Sequence, residues 1–208
     1  LGKYRVRLVE PASERTLYSH GFSSIYGEWE TTGAAREQWQ SFQESVRLPE
    51  PRQAALIALD KRAPSGEFVE LFRTRYDPDG REVDRSAITP HGALSVLFEH
   101  GPPATKVDLL VVGDGYTAEQ AEKFAGDAER LCGALFDTEP FRSRRSDFNV
   151  RLLHVPSFEA GISNPRQGVW RQNPMGLSFN AFDSDRYVLS LDDHALREAA
   201  AQAAAAVS

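Results

Sequence analysis

The 208 residues contain a single cysteine, Cys132, so no internal disulfide framework can staple this chain. No apolar run approaches the roughly 20 residues needed to span a bilayer, which argues against a transmembrane helix. Basic blocks are missing as well. Acidic residues outnumber basic ones by 30 to 24, giving a net charge of -6, and that balance argues against a nucleic-acid partner. The sequence opens on leucine without a charged segment leading into an apolar core. The expectation is that any signal peptide is already removed or lies outside these residues, and that both ends are cuts in a longer protein.

Several catalytic signatures are absent too. Five histidines occur, His20, His91, His100, His154 and His194, and no two are three or four residues apart. A helix with HExxH, which faces two imidazoles toward one metal from consecutive turns, is therefore not present. The sequence holds no G-x-S-x-G elbow and no Walker loop, and its one G-x-G lacks the third glycine of a dinucleotide fingerprint.

What is present is a globular composition, 41% hydrophobic and 26% charged, in a length that suits one large domain or two small ones. The chain is organised around 107–136. Val107, Leu109, Leu110, Val111 and Val112 read as a strand covered on both faces, ending at the turn residues Gly113, Asp114 and Gly115. Thr117 and Gln120 have capping-box spacing. Behind them Ala121, Phe124, Ala125, Ala128, Leu131, Cys132, Leu135 and Phe136 share one helical face. Cys132 on that face reads as a small buried hydrophobe.

Before this unit, 3–10 alternates with Tyr4, Val6 and Leu8 on one side and Arg5 and Arg7 on the other, the period of a half-buried strand. Further strand-like pieces at 17–26, 55–59, 68–76 and 93–99 are separated by turn clusters, and short strands at such intervals suggest a β-sandwich. A helical excursion is expected over 34–40. Pro102 and Pro103 remove two ladder donors in succession, which places a domain boundary at 100–105. Beyond the helix, 148–155 is a second strong strand that completes a β-α-β unit. A long polar stretch, 157–185, is of the length usually reserved for function or mobility. A third strand is expected at 186–191, and a final helix over 195–207, capped by Asp192 or Asp193, is so rich in alanine that it has little to bury.

Two places could bind something. The turn of Asp114, Gly115, Tyr116 and Thr117 could line a cleft or hold an anion on helix amides, or its glycines could simply supply backbone angles closed to other residues. The aromatics Trp29 and Trp170 could stack on a sugar or peptide, or could belong to a core or interface. No residue of this chain is assigned as catalytic or as a metal ligand.

The GDGYT turn, with Glu119, Lys123, Phe124, Asp127 and the run FDTEPF at 136–141, resembles the IgA-specific zinc metallopeptidases, metallopeptidase family 64. The likeness continues through Phe148-Asn149-Val150, the 156–161 loop, Arg186-Tyr187 and 192–199. It also reaches YSHGFSSIYGEWETT at 18–32 and FQESVR at 42–47, which look like the accessory domain of that family. The resemblance implies an α+β protein: an N-terminal β-sandwich over 1–100, then the first part of a zincin-like α/β catalytic domain over 105–208. It implies a secreted or surface-exposed hydrolase acting on protein or peptide substrates, with zinc in the full-length parent and the HExxH helix downstream of Ser208. The chain alone is then expected to hold no zinc and to be inactive. The other reading is a non-catalytic secreted protein that binds glycan or peptide. Immunoglobulin preference is not extended to this chain.

Overall fold

The computed structural model describes residues 2–86, 89–190 and 192–206. Contacts divide the chain into two units, 1–86 and 87–208.

The first unit is built on one antiparallel sheet. Its strands are β1 (Tyr4–Val9), β2 (Thr16–Phe22), β3 (Ala55–Arg62) and β4 (Phe68–Tyr76), in the order β2-β1-β3-β4. The alternation expected in β1 is realised: Val6 and Leu8 are buried, whereas Arg5 lies opposite Asp60 of β3. Among the described residues there is one sheet here, not the two packed sheets of the expected sandwich. The reason lies in 23–54, which supplies no strand. That segment holds only the short helix α1 (Tyr26–Trp29) and a 3-10 turn, Ala34–Arg36, in place of the helix expected to 40.

The arginine face of the sheet carries a buried charge. Asp60 is almost fully enclosed and accepts bonds from Arg5 Nε at 2.7 Å and Arg7 Nε at 2.8 Å. Burial pushes its carboxyl pKa up, but the bonds from Arg7 and Arg5 outweigh this and leave it below the usual carboxylate value. A depressed carboxylate pKa contributes stability above its unfolded value and loses it as pH falls through the folded one. We expect the unfolding midpoint to decline below about pH 4. Asp60→Asn should be less stable at neutral pH by about 1–3 kcal/mol and show a weaker acid dependence, both read from thermal melts across pH.

The second unit contains β5 (Ala93–Phe98), β6 (Val107–Gly113) and β7 (Phe148–His154), in the order β5-β7-β6. β6 and β7 are parallel and in register from Val107 opposite Phe148 to Gly113 opposite His154. They are joined by α2 (Ala121–Phe136), the expected β-α-β unit. β5 runs antiparallel on the far side of β7. Because β5 pairs there, the contacts break at 86/87 and not at the Pro102-Pro103 step.

The strand enclosed on both faces is β7, buried at every position after Phe148. Among the described residues β6 is an edge strand; Val107 is exposed, and its leucines and other valines are only half-buried. Side chains of β7 alternate between two layers. Val150 and Leu152 meet Phe124, Ala128, Cys132 and Phe136 of α2. Leu153, with Val155 just beyond the strand, meets Met175 and Ala199. Ala199 belongs to the last helix, α3 (Asp193–Ala205), whose cap is Asp192, accepting from Ala195 N at 3.0 Å. The alanines at 199 and 203 are buried, so their small size lets α3 lie close to its neighbours. Val207, at the end of the expected helix, lies outside the described residues, as does Leu191 of the expected third strand.

That strand, β9 (Val188–Ser190), does not join the main sheet. It pairs with β8 (Leu177–Phe179) as a two-stranded antiparallel ribbon. At the other end of β7, Asn149 is fully buried and ties His100 N, Gly101 O and Asp108 together. Arg151 bridges Glu99 and Asp108. These polar side chains hold β5 and β6 against the central strand.

Candidate functional site: the turn at the end of the sixth strand

β6 delivers Gly113 against Phe124 of α2; a Cβ there would lie 2.6 Å from the ring. The chain then turns through Asp114 and Gly115. Gly115 has φ +76°, and a Cβ would sit 2.8 Å from the Gly161 carbonyl, so the position is closed to side chains on two counts. Its amide donates to Ser157 Oγ at 2.8 Å, and its carbonyl accepts from Gly161 N at 2.7 Å. Tyr116 O accepts from Ser157 N at 2.7 Å. The turn and the start of the long loop are thus laced together.

Asp114 organises the far end of that loop. Its carboxylate accepts from Asn173 Nδ2, from Met175 N at 3.2 Å and from Leu177 N at 3.0 Å. One side chain therefore satisfies two backbone donors at the entrance to β8. Thr117 closes the expected capping box, with both reciprocal bonds to Gln120 in place. The helix starts as a 3-10 turn, Ala118–Gln120, and continues as α2.

Above the turn is a cleft of roughly 400 Å³, lined by Asp114, Gly115, Tyr116, Lys123, Ile162 and Phe179 among others. Tyr116 leans on Phe124, and its hydroxyl donates to Asp127 Oδ2 at 3.1 Å. Burial, then the bond to Asp127, raises the Tyr116 pKa. The Lys123 bond, followed by that from Tyr116, lowers the Asp127 carboxyl. Lys123 is held against Asp127 and lies 5.2 Å over the Tyr116 ring. The cleft wall is thus apolar with an internally neutralised ion pair. The amides of Gly115 and Thr117 are spent on Ser157 and Gln120.

Of the residues singled out from sequence, Asp114, Gly115 and Tyr116 come together at this cleft, and Thr117 serves the helix start. Trp170 is 70% exposed, on a loop fixed by the Arg171–Glu159 ion pair at 3.0 Å. Trp29 is elsewhere and buried, packed with Tyr26 and Phe42, so its ring belongs to a core and is not available to stack on a ligand. Sequence reasoning missed Ser157 and Asn173, which lock the turn from 42 and 59 residues away; no local pattern marks such partners. It also missed Phe158, which is 88% exposed.

Cys132 is buried as expected, and burial raises its thiol pKa. His154, at the end of β7, stacks on Phe124 with centroids 5.5 Å apart; its Nε2 is buried without a hydrogen-bond partner among the described residues. Histidines 91 and 194 flank Glu198 at 3.9 and 3.5 Å on the exposed side of α3. Among the described residues no three His, Cys, Asp or Glu side chains converge as a metal site.

Residues 96–208 match the family model described as IgA Peptidase M64, and residues 1–73 match the one described as Peptidase M64 N-terminus. The chain belongs to the IgA peptidase M64 family. No individually curated protein matches it. The M64 catalytic-region match includes the whole β6-α2-β7 unit, the Asp114 turn and the cleft. Zinc is the metal of M64 peptidases, but the described residues of this chain do not assemble a ligand set for it. No described helix is long and apolar enough to cross a membrane. Membership of this family suggests a metallopeptidase, and a peptidase family implies protein substrates.

Proposed function

We propose that the first unit (1–86) is the accessory domain and the second (87–208) the opening part of a zincin-like catalytic domain, with its strand-helix-strand core, in a secreted zinc endopeptidase. The observation that carries the reading is the cleft at the C-terminal end of a parallel strand, inside the segment matched to the peptidase model. In open α/β sheets, ligands gather at that end of the strands. Zinc and its activating glutamate would come from residues other than these 208, and this portion would shape the wall along which a polypeptide substrate lies. Exposed Phe158 and Trp170 on the loop laced to that wall suit an extended peptide chain.

The test uses the full product of the gene beside the 208-residue polypeptide. The full product should carry one zinc per chain by atomic absorption and should cut unfolded protein until chelated. The 208 residues alone should do neither. Stoichiometric zinc on the short polypeptide, or a metal-free full product, would overturn the assignment. Saturable glycan or peptide binding without cleavage would favour the binding protein instead.

A further inference from the structure

β4 closes one side of the sheet in the first unit, and no strand lies beyond it among the described residues. An edge strand presents unpaired N–H and C=O groups that template pairing with another strand. Proteins commonly blunt such edges by keeping them short or by inserting proline, charged side chains or a bulge; β4 is nine residues long and has no proline, and its charges and bulge limit pairing to a strand that matches them. At its centre Val69, Leu71 and Phe72 are 56%, 55% and 57% exposed. The register shift at Leu59/Asp60 leaves Leu71 as the extra residue of β4, side by side with Phe72.

The sequence of this edge complements itself. If two copies of FVELFRTRY run antiparallel about the midpoint between Leu71 and Phe72, Leu71 faces the partner's Phe72 and Glu70 faces the partner's Arg73. Val69 then meets the partner's Thr74, and Phe68 meets the partner's Arg75. Opposite charges and apolar pairs directly across a ladder are favourable, and an arginine over an aromatic ring adds a cation–π contact. Every pair occurs twice by symmetry. Moving the axis onto Phe72 removes the charge pairs, and moving it onto Arg73 sets like charges together. Glu70 already gathers Arg7 and Arg73 of its own chain, so the partner's arginine would join an existing network.

From this complementarity we infer that the protein associates as a two-fold dimer through antiparallel pairing of β4 with β4 of a second copy, forming one eight-stranded sheet. The contact is isologous, so it closes at two copies.

Sedimentation velocity of the full chain over a concentration series should show a reversible monomer–dimer equilibrium. Leu71→Lys, at an exposed position, should weaken it by at least on the order of tenfold while leaving unchanged the thermal melt at dilutions where both proteins are monomeric. The register is read by a spin label at exposed Glu67→Cys. Residue 67 and its symmetry mate lie nine residues apart along the paired strands, about 30 Å. Buried Cys132 should take up little label. A pulsed-EPR separation near 30 Å supports the pairing. A chain that stays monomeric leaves this edge to a partner of another sequence. That result, a dimer indifferent to Leu71→Lys, or a clearly different label separation would each overturn the proposal.

Discussion

Asp114→Ala is expected to release the 173–177 segment while leaving the fold of the second unit recognisable. The carboxylate is the acceptor for two backbone amides and one side-chain amide, and alanine would leave all three donors without it. Stranding part-buried donors costs about 1–3 kcal/mol each when water cannot replace the bond. Met175 is buried, whereas Leu177 is only half-buried, so we expect a total near 2–4 kcal/mol and not the full sum. The decisive measurement is hydrogen exchange. Amides of Met175 and Leu177 should lose protection, while that of Gly115, bonded to Ser157, should keep it. Asp114→Asn, which retains one carbonyl acceptor, should fall between the two. On the peptidase reading proposed above, the same substitution should lower the activity of the full gene product, because the cleft wall carrying Phe179 begins at this anchor.

Phe136→Ala should be the most destabilising single change in the second unit. The side chain is 2% exposed and sits among Phe98, Phe141 and Phe148, with ring centroids at 5.2, 6.4 and 5.3 Å. Those neighbours come from β5, β7 and the turn after α2, so they cannot collapse together into the space it leaves. Truncating a fully buried phenylalanine costs about 3–5 kcal/mol, enough to lower the melting temperature by roughly 10–20 °C. Leu131→Ala, on the same helix but 58% exposed, is the matched control and should shift the melt very little. Equal losses in the two variants would mean that α2 is buried along a different face.

These two sites also mark how far local pattern carried. The helix, its capping box and both flanking strands were readable, because period and turn chemistry are local properties. The enclosure of β6 was not. Its run of leucine and valine has the composition of a central strand, yet the order β5-β7-β6 puts it at an edge, and strand order depends on partners far away in sequence. A similar limit explains the sandwich. Strand-like spacing in the first unit correctly implied β structure, but whether four strands form one sheet or two is decided by pairing. The GDGYT turn was visible as a turn and as a family mark. That its aspartate spends its acceptors on residues about sixty positions later could not be seen without the fold. Trp29 shows the converse, since an aromatic in a polar-looking stretch turned out to be core.

The buried positions of α2 are Phe124, Ala128, Cys132 and Phe136, a single row with a step of four. Such a row is inclined by about 26° to the helix axis, so the helix meets the sheet along one slanted ridge and not along a broad band. A narrow contact of this kind tolerates no change of phase. One residue inserted between Ala128 and Cys132 would rotate everything after it by about 100°, swinging Phe136 out of its cluster of rings and putting the smaller, differently shaped Leu135 in its place. Away from that ridge, from Leu135 and from the Lys123–Asp127 pair at the cleft, substitutions on α2 leave the packing in place.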